Sequence, residues 1–403
     1  MARILFIGAG AFQLPAIARA KRDGHFVIGC DRDADAAGQP LCDIFEAVDV
    51  FDREACLNVA RRHRIDAVTV FATEAGVPTC AHIADKLKLP GLPVSASIAV
   101  TNKLVMRERF AGAGLPSPEF HGCDSPDQAI AAFDRIGQPC VVKPSNGAGS
   151  RGVSYVGKRE QVAAAFLAAK ALTRGAPVVV ERFMPGREVA VEGFVQSRRF
   201  HLLCISDKVR TGPPFLLDTR IHFPSWRAQS EQDAIAGVAR DAVAALGIDN
   251  APVHMELIMT DAGPHLVEVA ARGAGFHVFA EIVPWVTGVD TLGLQLALAL
   301  GEPFEIPAIA LRGAVLDFPS VSAGRLETIT GWDDVTAHDD TLFAMLLKGV
   351  GDSVPPLRSG ADRVAAIAVR GETANLAQST LDDHYDRLSF TTRIEPAYSA
   401  AHA

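Results

Sequence analysis

The sequence predicts a mixed fold of α/β and α+β parts: a Rossmann-like parallel domain, an α+β region, and a strand-rich C-terminal extension. Three observations predict it. Apolar runs at Ile4–Ile7, Phe26–Cys30 and Ala67–Phe71 alternate with helical spacing at Leu14–Lys21 and Arg53–Arg64, the grammar of a parallel sheet with covering helices. That alternation closes near Leu89-Pro90-Gly91 and has changed by Gly114-Leu115-Pro116-Ser117-Pro118, where proline and glycine cluster. Val253–Met259 and His265–Ala270 then read as an antiparallel hairpin, with Thr260-Asp261-Ala262-Gly263-Pro264 as its turn.

Taken in order, Ile4–Ile7 runs into Gly8-Ala9-Gly10, and Asp31 closes the next strand. Strand, glycine turn, helix and a later acid imitate a dinucleotide fingerprint, but its third glycine is Gln13. The turn is read either as Rossmann-like without a pyrophosphate or as an NAD site. Ser97–Gly112 is predicted to be one helix. Cys140–Lys143 is a strand that enters a loop of small residues, Ser145–Gly152. Val178–Glu181 and Arg187–Val195 are strands around Met184-Pro185-Gly186. From about Pro307 more strands follow at Gly313–Phe318 and Val364–Arg370, with a break at Ser322-Ala323-Gly324. The expected domains are 1–95, 96–306 and 307–395, and 396–403 reads as a frayed tail.

A chain of 403 residues has room for two or three domains of about 150 residues. Its 49% apolar and 21% charged residues are enough to build cores. A formal charge of −8 argues against nucleic acid and anionic membranes as partners, because both bind through phosphate neutralisation. The seven cysteines form no C-x-x-C pair and have no histidine at zinc spacing, so free thiols in a reducing, cytoplasmic setting are expected. No apolar run approaches the roughly 18 residues of a membrane span. Arg3, the apolar stretch and Ala18-Arg19-Ala20 imitate a signal peptide, but the segment continues into a strand–loop–helix pattern and is read as part of the fold.

Four groups of residues carry candidate chemistry. Lys143 precedes S-N-G-A-G-S-R-G, where backbone N–H groups and a lysine suit phosphate oxygens; the alternative is a plain surface loop. Glu181 and Glu188 flank a turn and suit an exocyclic amine or ribose hydroxyls, or are two solvated charges. Glu256 and Glu268 sit in apolar stretches on the two hairpin strands. Converging there, they suit Mg²⁺; otherwise they line a solvated face. His254 shares a face with Glu256 by strand alternation. Glu74 follows the Ala67–Phe71 strand, at the mouth where open α/β sheets bind ligands, and is a candidate for a substrate ammonium. The segment Ser206-Asp207-Lys208 to His222-Phe223-Pro224 reads from its residues as a proline-rich connection.

Lys103, Lys143, Glu181, Glu188, Glu256 and Glu268, taken in order, resemble the ATP-grasp superfamily over about the whole chain, and the layout resembles its carboxylate–amine (L-amino acid and dipeptide) ligases. The resemblance implies ATP as cosubstrate and Mg²⁺, or Mn²⁺, as metal. It implies that 96–306 is the ATP-grasp domain, with 118–185 as its small lid part. It implies phosphate-binding roles for Lys103 and Lys143, and a flap over the phosphates at Ser145–Gly152, including Ser145, Gly149 and Ser150. Glu181 with the Arg182–Phe183 backbone would be the adenine hinge, and Glu188 the ribose acceptor. Glu256 and Glu268 would bind metal. Arg272 would stabilise the acyl phosphate or the tetrahedral intermediate. His254 is a candidate to orient a substrate or merely caps the sheet, and Glu74 and Lys208 are the candidates to meet substrate. For the segment from Ser206 to Pro224 the resemblance implies, instead of a connection, the lining of a second-substrate pocket. One departure is visible: the family's asparagine ligand is Ala270 here. The expected reaction activates a carboxylate as an acyl phosphate and joins it to an amine. Small-molecule acids and amines are the expected partners, with a homodimer as the assembly. The alternatives are a purine-pathway-like carboxylase or formyl transferase, an NAD-dependent oxidoreductase, and a non-catalytic nucleotide-binding module.

Overall fold

A computed structural model describes residues 1–147, 149 and 151–394. Ser150 and the expected tail 396–403 lie outside the described residues. The chain gathers into two compact units, 1–118 with 190–204 and 228–309, and 119–189 with 205–227 and the C-terminal part from 310.

The first unit opens with a four-stranded parallel sheet in the order Ile44–Ala47, Phe26–Asp31, Arg3–Ile7, Ala67–Thr69. Ile4, Leu5, Phe6 and Ile7 are all buried, as a strand covered on both faces requires. Ile44–Ala47 was not predicted. It is a half-buried edge strand behind Asp43, whose carboxylate accepts from Val27 N, so no apolar run marks it. The glycine turn is closed internally. Ala9 N donates to Asp31 Oδ2 (2.9 Å), and Gln13 Nε2 donates to Phe71 O (2.7 Å). The acid at the end of the second strand thus serves the turn as an acceptor for a backbone N–H.

The predicted helix Ser97–Gly112 is two helices, Val94–Thr101 and Lys103–Gly112, broken at Asn102. Asn102 is extended (φ −128°, ψ 105°), and its side chain accepts from Leu104 N and Val105 N. An asparagine competes for backbone N–H groups, so it caps a new helix instead of continuing the old one. Lys103 is therefore a first-turn residue. Asn102→Ala is expected to cost about 1 kcal/mol in urea unfolding, with an unchanged slope. A midpoint equal to wild type would show the cap to be redundant.

Two hairpins complete this unit's framework. Ala251–Thr260 and Gly263–Ala270 turn through Asp261-Ala262 alone, tighter than predicted, because Thr260 Oγ1 accepts from Ala262 N and donates to Gly263 O. Arg187–Gln196 and Arg199–Arg210 join through Ser197 and Arg198, both at positive φ (52° and 62°), as a two-residue turn between twisted strands demands. Strand Arg187–Gln196 lies beside Ala251–Thr260.

The second unit holds a four-stranded antiparallel sheet ordered Phe120–Cys123, Val178–Arg182, Cys140–Pro144, Ser154–Val156. Helices Pro126–Ile136 and Val162–Lys170 cover it through Ala129, Phe133 and Phe166. The stretch from 206 to 224, open between a pocket lining and a proline-rich connection, is mostly strand: the end of Arg199–Arg210, then Asp218–Phe223. Asp218–Phe223 pairs with Gly313–Asp317, which pairs with Ala365–Gly371, and that with Thr341–Leu346. The strands beyond 307 thus share a sheet with residues before it. Helix Ala374–Tyr385 packs Ala377 and Leu381 on Val315, Ile367 and Val369. No single helix among the described residues is long and apolar enough to cross a membrane, and the seven cysteines are free thiols.

Candidate active site

In the first unit the hairpin register places Glu256 directly opposite Glu268. Directly opposed residues of an antiparallel pair share a face, so two carboxylates point the same way and repel. His254 stands opposite Ala270 on that same face. Helix Lys103–Gly112 brings the counter-charge. Lys103 Nζ lies 2.9 Å from Glu268 Oε1. One turn on, the fully buried Arg107 donates to Val267 O (2.8 Å) and ties the helix to the same strand. Burial alone would lower the Lys103 pKa, but the carboxylates of Glu268 and Glu74 outweigh it and raise it.

Glu74 joins this cluster. Its Oε2 is buried with no hydrogen-bond partner, and Arg272 Nη2 stands 3.6 Å away. Burial first, then the charges of Glu268 and Glu256, push its carboxyl up to about 7 against the pull of Lys103 and Arg272. A carboxyl raised in the folded state holds a proton that the unfolded chain has released, so stability falls as pH rises from about 4.5 to about 7. Glu74→Gln is expected to remove that slope, so its stability advantage over wild type grows across the window. Urea unfolding at pH 5, 6 and 7.5 checks this; parallel curves would refute it.

His254 is gripped on both sides. Its Nδ1 is 2.5 Å from Glu192 Oε1, and its Nε2 is 3.8 Å from Glu256 Oε1. Burial opposes the charged ring, but Glu192 and then Glu256 outweigh it and raise the pKa to about 9. Glu192 was not singled out from the sequence. The signal was present, an acid inside the apolar run V-A-V-E-G-F-V.

The donor set suits a hard divalent cation. Glu256 and Glu268 offer facing carboxylate oxygens, and the Glu74 Oε2, buried without a hydrogen bond, belongs to the same cluster of acids. With Ala270, position 270 offers no side-chain oxygen. Those two glutamates are the residues that would hold Mg²⁺.

In the second unit Lys143 and Glu181 form a buried pair at 2.5 Å. Val141 is opposite Glu181, so Lys143, two residues on, shares its face. Ser145 Oγ, just past Lys143, is buried with no hydrogen-bond partner, and Gly149 takes φ +70° in an open setting. Arg182 N donates to Glu119 O and Phe183 N to Pro139 O, so this hinge offers carbonyls but not those two N–H groups. The Arg182 side chain reaches Glu119 (2.7 Å), and Phe183 meets Tyr155 edge-on. Glu188 is held between Lys208 Nζ (2.8 Å) and Arg210, and both cations also reach Asp218. Lys208 is thus paired with two carboxylates. Arg210 and Asp218 escaped notice in the sequence because Gly212-Pro213-Pro214 dominates that stretch. In strand Asp218–Phe223, burial and then Arg220 push the His222 ring down to about 4, and that ring meets the exposed Trp226 at a tilt of 56°.

Comparison with known proteins gives the chain its relatives. Residues 136–279 match the ATP-grasp domain family, and residues 318–393 match L-amino acid ligase C-terminal domain 2. The crystal structure of an L-amino acid ligase from Bacillus licheniformis is similar over 98% of this chain and 99% of that one, at 26% identity and a TM-score of 0.84. The alanine–anticapsin ligase of Bacillus subtilis is 27% identical over 278 residues, which is 63% of this chain and 58% of that protein. A formate-dependent phosphoribosylglycinamide formyltransferase of Rhodococcus jostii is 28% identical over 356 residues, 83% of this chain and 81% of that protein. The chain thus contains an ATP-grasp domain over residues 136–279 and an L-amino acid ligase C-terminal domain 2 over residues 318–393.

Proposed function

We propose that this protein is an ATP-dependent carboxylate–amine ligase acting on amino acids. The observation that carries the reading is the register of Glu256 against Glu268 with Lys103 laid on them, in a chain that ends in an L-amino acid ligase domain. A carboxylate is a poor electrophile. Its oxygen attacks the γ-phosphorus of ATP, the bond to ADP breaks, and an acyl phosphate results. The amine then forms the C–N bond, the C–O bond breaks, and phosphate leaves. Bound Mg²⁺ supplies charge neutralisation on the phosphates.

The chain's own residues do the rest. In the second unit, Lys143 and Ser145 face phosphate oxygens, Glu181 and the carbonyls of the hinge take the adenine amine, and Glu188 is the ribose candidate. In the first unit, Lys103, Glu256 and Glu268 serve the phosphate and metal. Arg272 stabilises the negative charge that develops on the reacting carboxylate. Glu74, beside Arg272, receives a substrate ammonium. A homodimer is the proposed assembly, to be checked by light scattering.

The test is phosphate release from ATP and Mg²⁺ across L-amino acids, singly and in pairs, with Glu268→Ala as control. A signal that needs two partners and vanishes in the control supports the ligase. The likeness to the Rhodococcus jostii enzyme favours a second reading, transfer of a formyl group. Release that needs formate, and no amino acid as the acid, would replace the first reading with the second.

A further inference from the structure

Glu192 is a buried acid to which the proposed reaction gives no role. Its side chain, on strand Arg187–Gln196, is 1% exposed. One oxygen is 2.5 Å from His254 Nδ1, and the other is buried without a partner. His254 and Glu256 sit on the adjacent strand Ala251–Thr260, and Glu268 on the strand beyond it. Three neighbouring strands therefore line up Glu192, His254, Glu256 and Glu268, with Lys103 closing the row.

A buried carboxylate is costly, and an apolar residue of similar volume would pack there with less penalty. Keeping an acid at this point calls for a role. The ring of His254 has a carboxylate at each nitrogen. With Nδ1–H committed to Glu192, the ring plane is fixed and Nε2 is aimed at Glu256. Without that anchor the ring can turn about its bond to Cβ, and its charge no longer faces Glu256 from 3.8 Å. We propose that Glu192 is a positioning residue for the metal site: through His254 it sets the orientation of the Glu256 carboxylate, and so the affinity for the divalent cation. This rests on the proposed reading of Glu256 as a magnesium ligand. Partners that orient metal ligands are typically worth about 10- to 100-fold in affinity.

The experiment uses the full chain and Mn²⁺ as the probe, with ADP present, reading free Mn²⁺ by electron paramagnetic resonance. Wild type, Glu192→Gln, Glu256→Gln and the double variant are titrated, and thermal unfolding is recorded for each. Glu192→Gln is expected to weaken Mn²⁺ binding about 10-fold and to add nothing on the Glu256→Gln background. Equal loss on both backgrounds, or wild-type binding by a folded Glu192→Gln, would overturn the inference while leaving the ligase reading intact. Should Glu192→Gln not fold, Glu192→Asp takes its place: it keeps the charge but shortens the reach, and the same two outcomes decide. No Mn²⁺ binding by wild type with ADP would remove the metal reading and this inference with it.

Discussion

Glu268→Gln is expected to cut ATP-dependent phosphate release by about a hundredfold at a fixed Mg²⁺ concentration. Two effects act together. The change removes one of the two facing carboxylates and leaves the opposing Glu256 as the nearer oxygen donor on that hairpin face. It also takes from the buried Lys103 the carboxylate 2.9 Å from its ammonium. The two are separable. Raising Mg²⁺ recovers rate lost through metal affinity, but not rate lost because Lys103 has moved. Phosphate release measured against Mg²⁺ therefore reads the share of each. A wild-type rate in this variant at every Mg²⁺ concentration would remove Glu268 from the site.

The second large effect is on stability. Glu188 and Lys208 each have side chains 3% exposed, with Arg210 completing the contact. Attraction between buried ions must repay their lost hydration, so a complete pair contributes little net stability. A broken one leaves charge in a medium that cannot solvate it. Glu188→Ala is expected to destabilise the fold by about 3–5 kcal/mol, leaving Lys208 and Arg210 to share Asp218. Urea unfolding measures it. A change below about 1 kcal/mol would mean that Asp218 alone neutralises both cations, since an uncompensated buried charge costs several times that.

How much of this was legible from the residues depends on the range of the interaction. The Glu256–Glu268 hairpin was readable because apolar residues alternate on both sides of a short polar turn. That pattern fixes the strands and which side chains share a face. The same logic marks Glu192, an acid among valines and a phenylalanine, yet nothing local names its partner. Asn102 was hidden for a different reason. Its neighbours have helical spacing, and only the hydrogen bonds to Leu104 N and Val105 N show that the asparagine starts a helix instead of continuing one. The strands between 199 and 223 were obscured by Gly212-Pro213-Pro214, which belongs to the loop joining them and not to the strands themselves.

The sequence by itself determined the parallel α/β opening, the hairpin with its two glutamates and the run of small residues after Lys143; the resemblance to the ATP-grasp superfamily rests on the order of its lysines and acids. These are local signals: strand period, turn chemistry and spacing. The tertiary structure decided which charge answers which. Lys143 meets Glu181 across 38 residues, His254 meets Glu192 across 62, and Lys103 meets Glu268 across 165. Strand order and register set those pairings, and burial makes them matter. A charge removed from water must find its partner wherever the fold has placed it, and spacing along the chain carries no information about that.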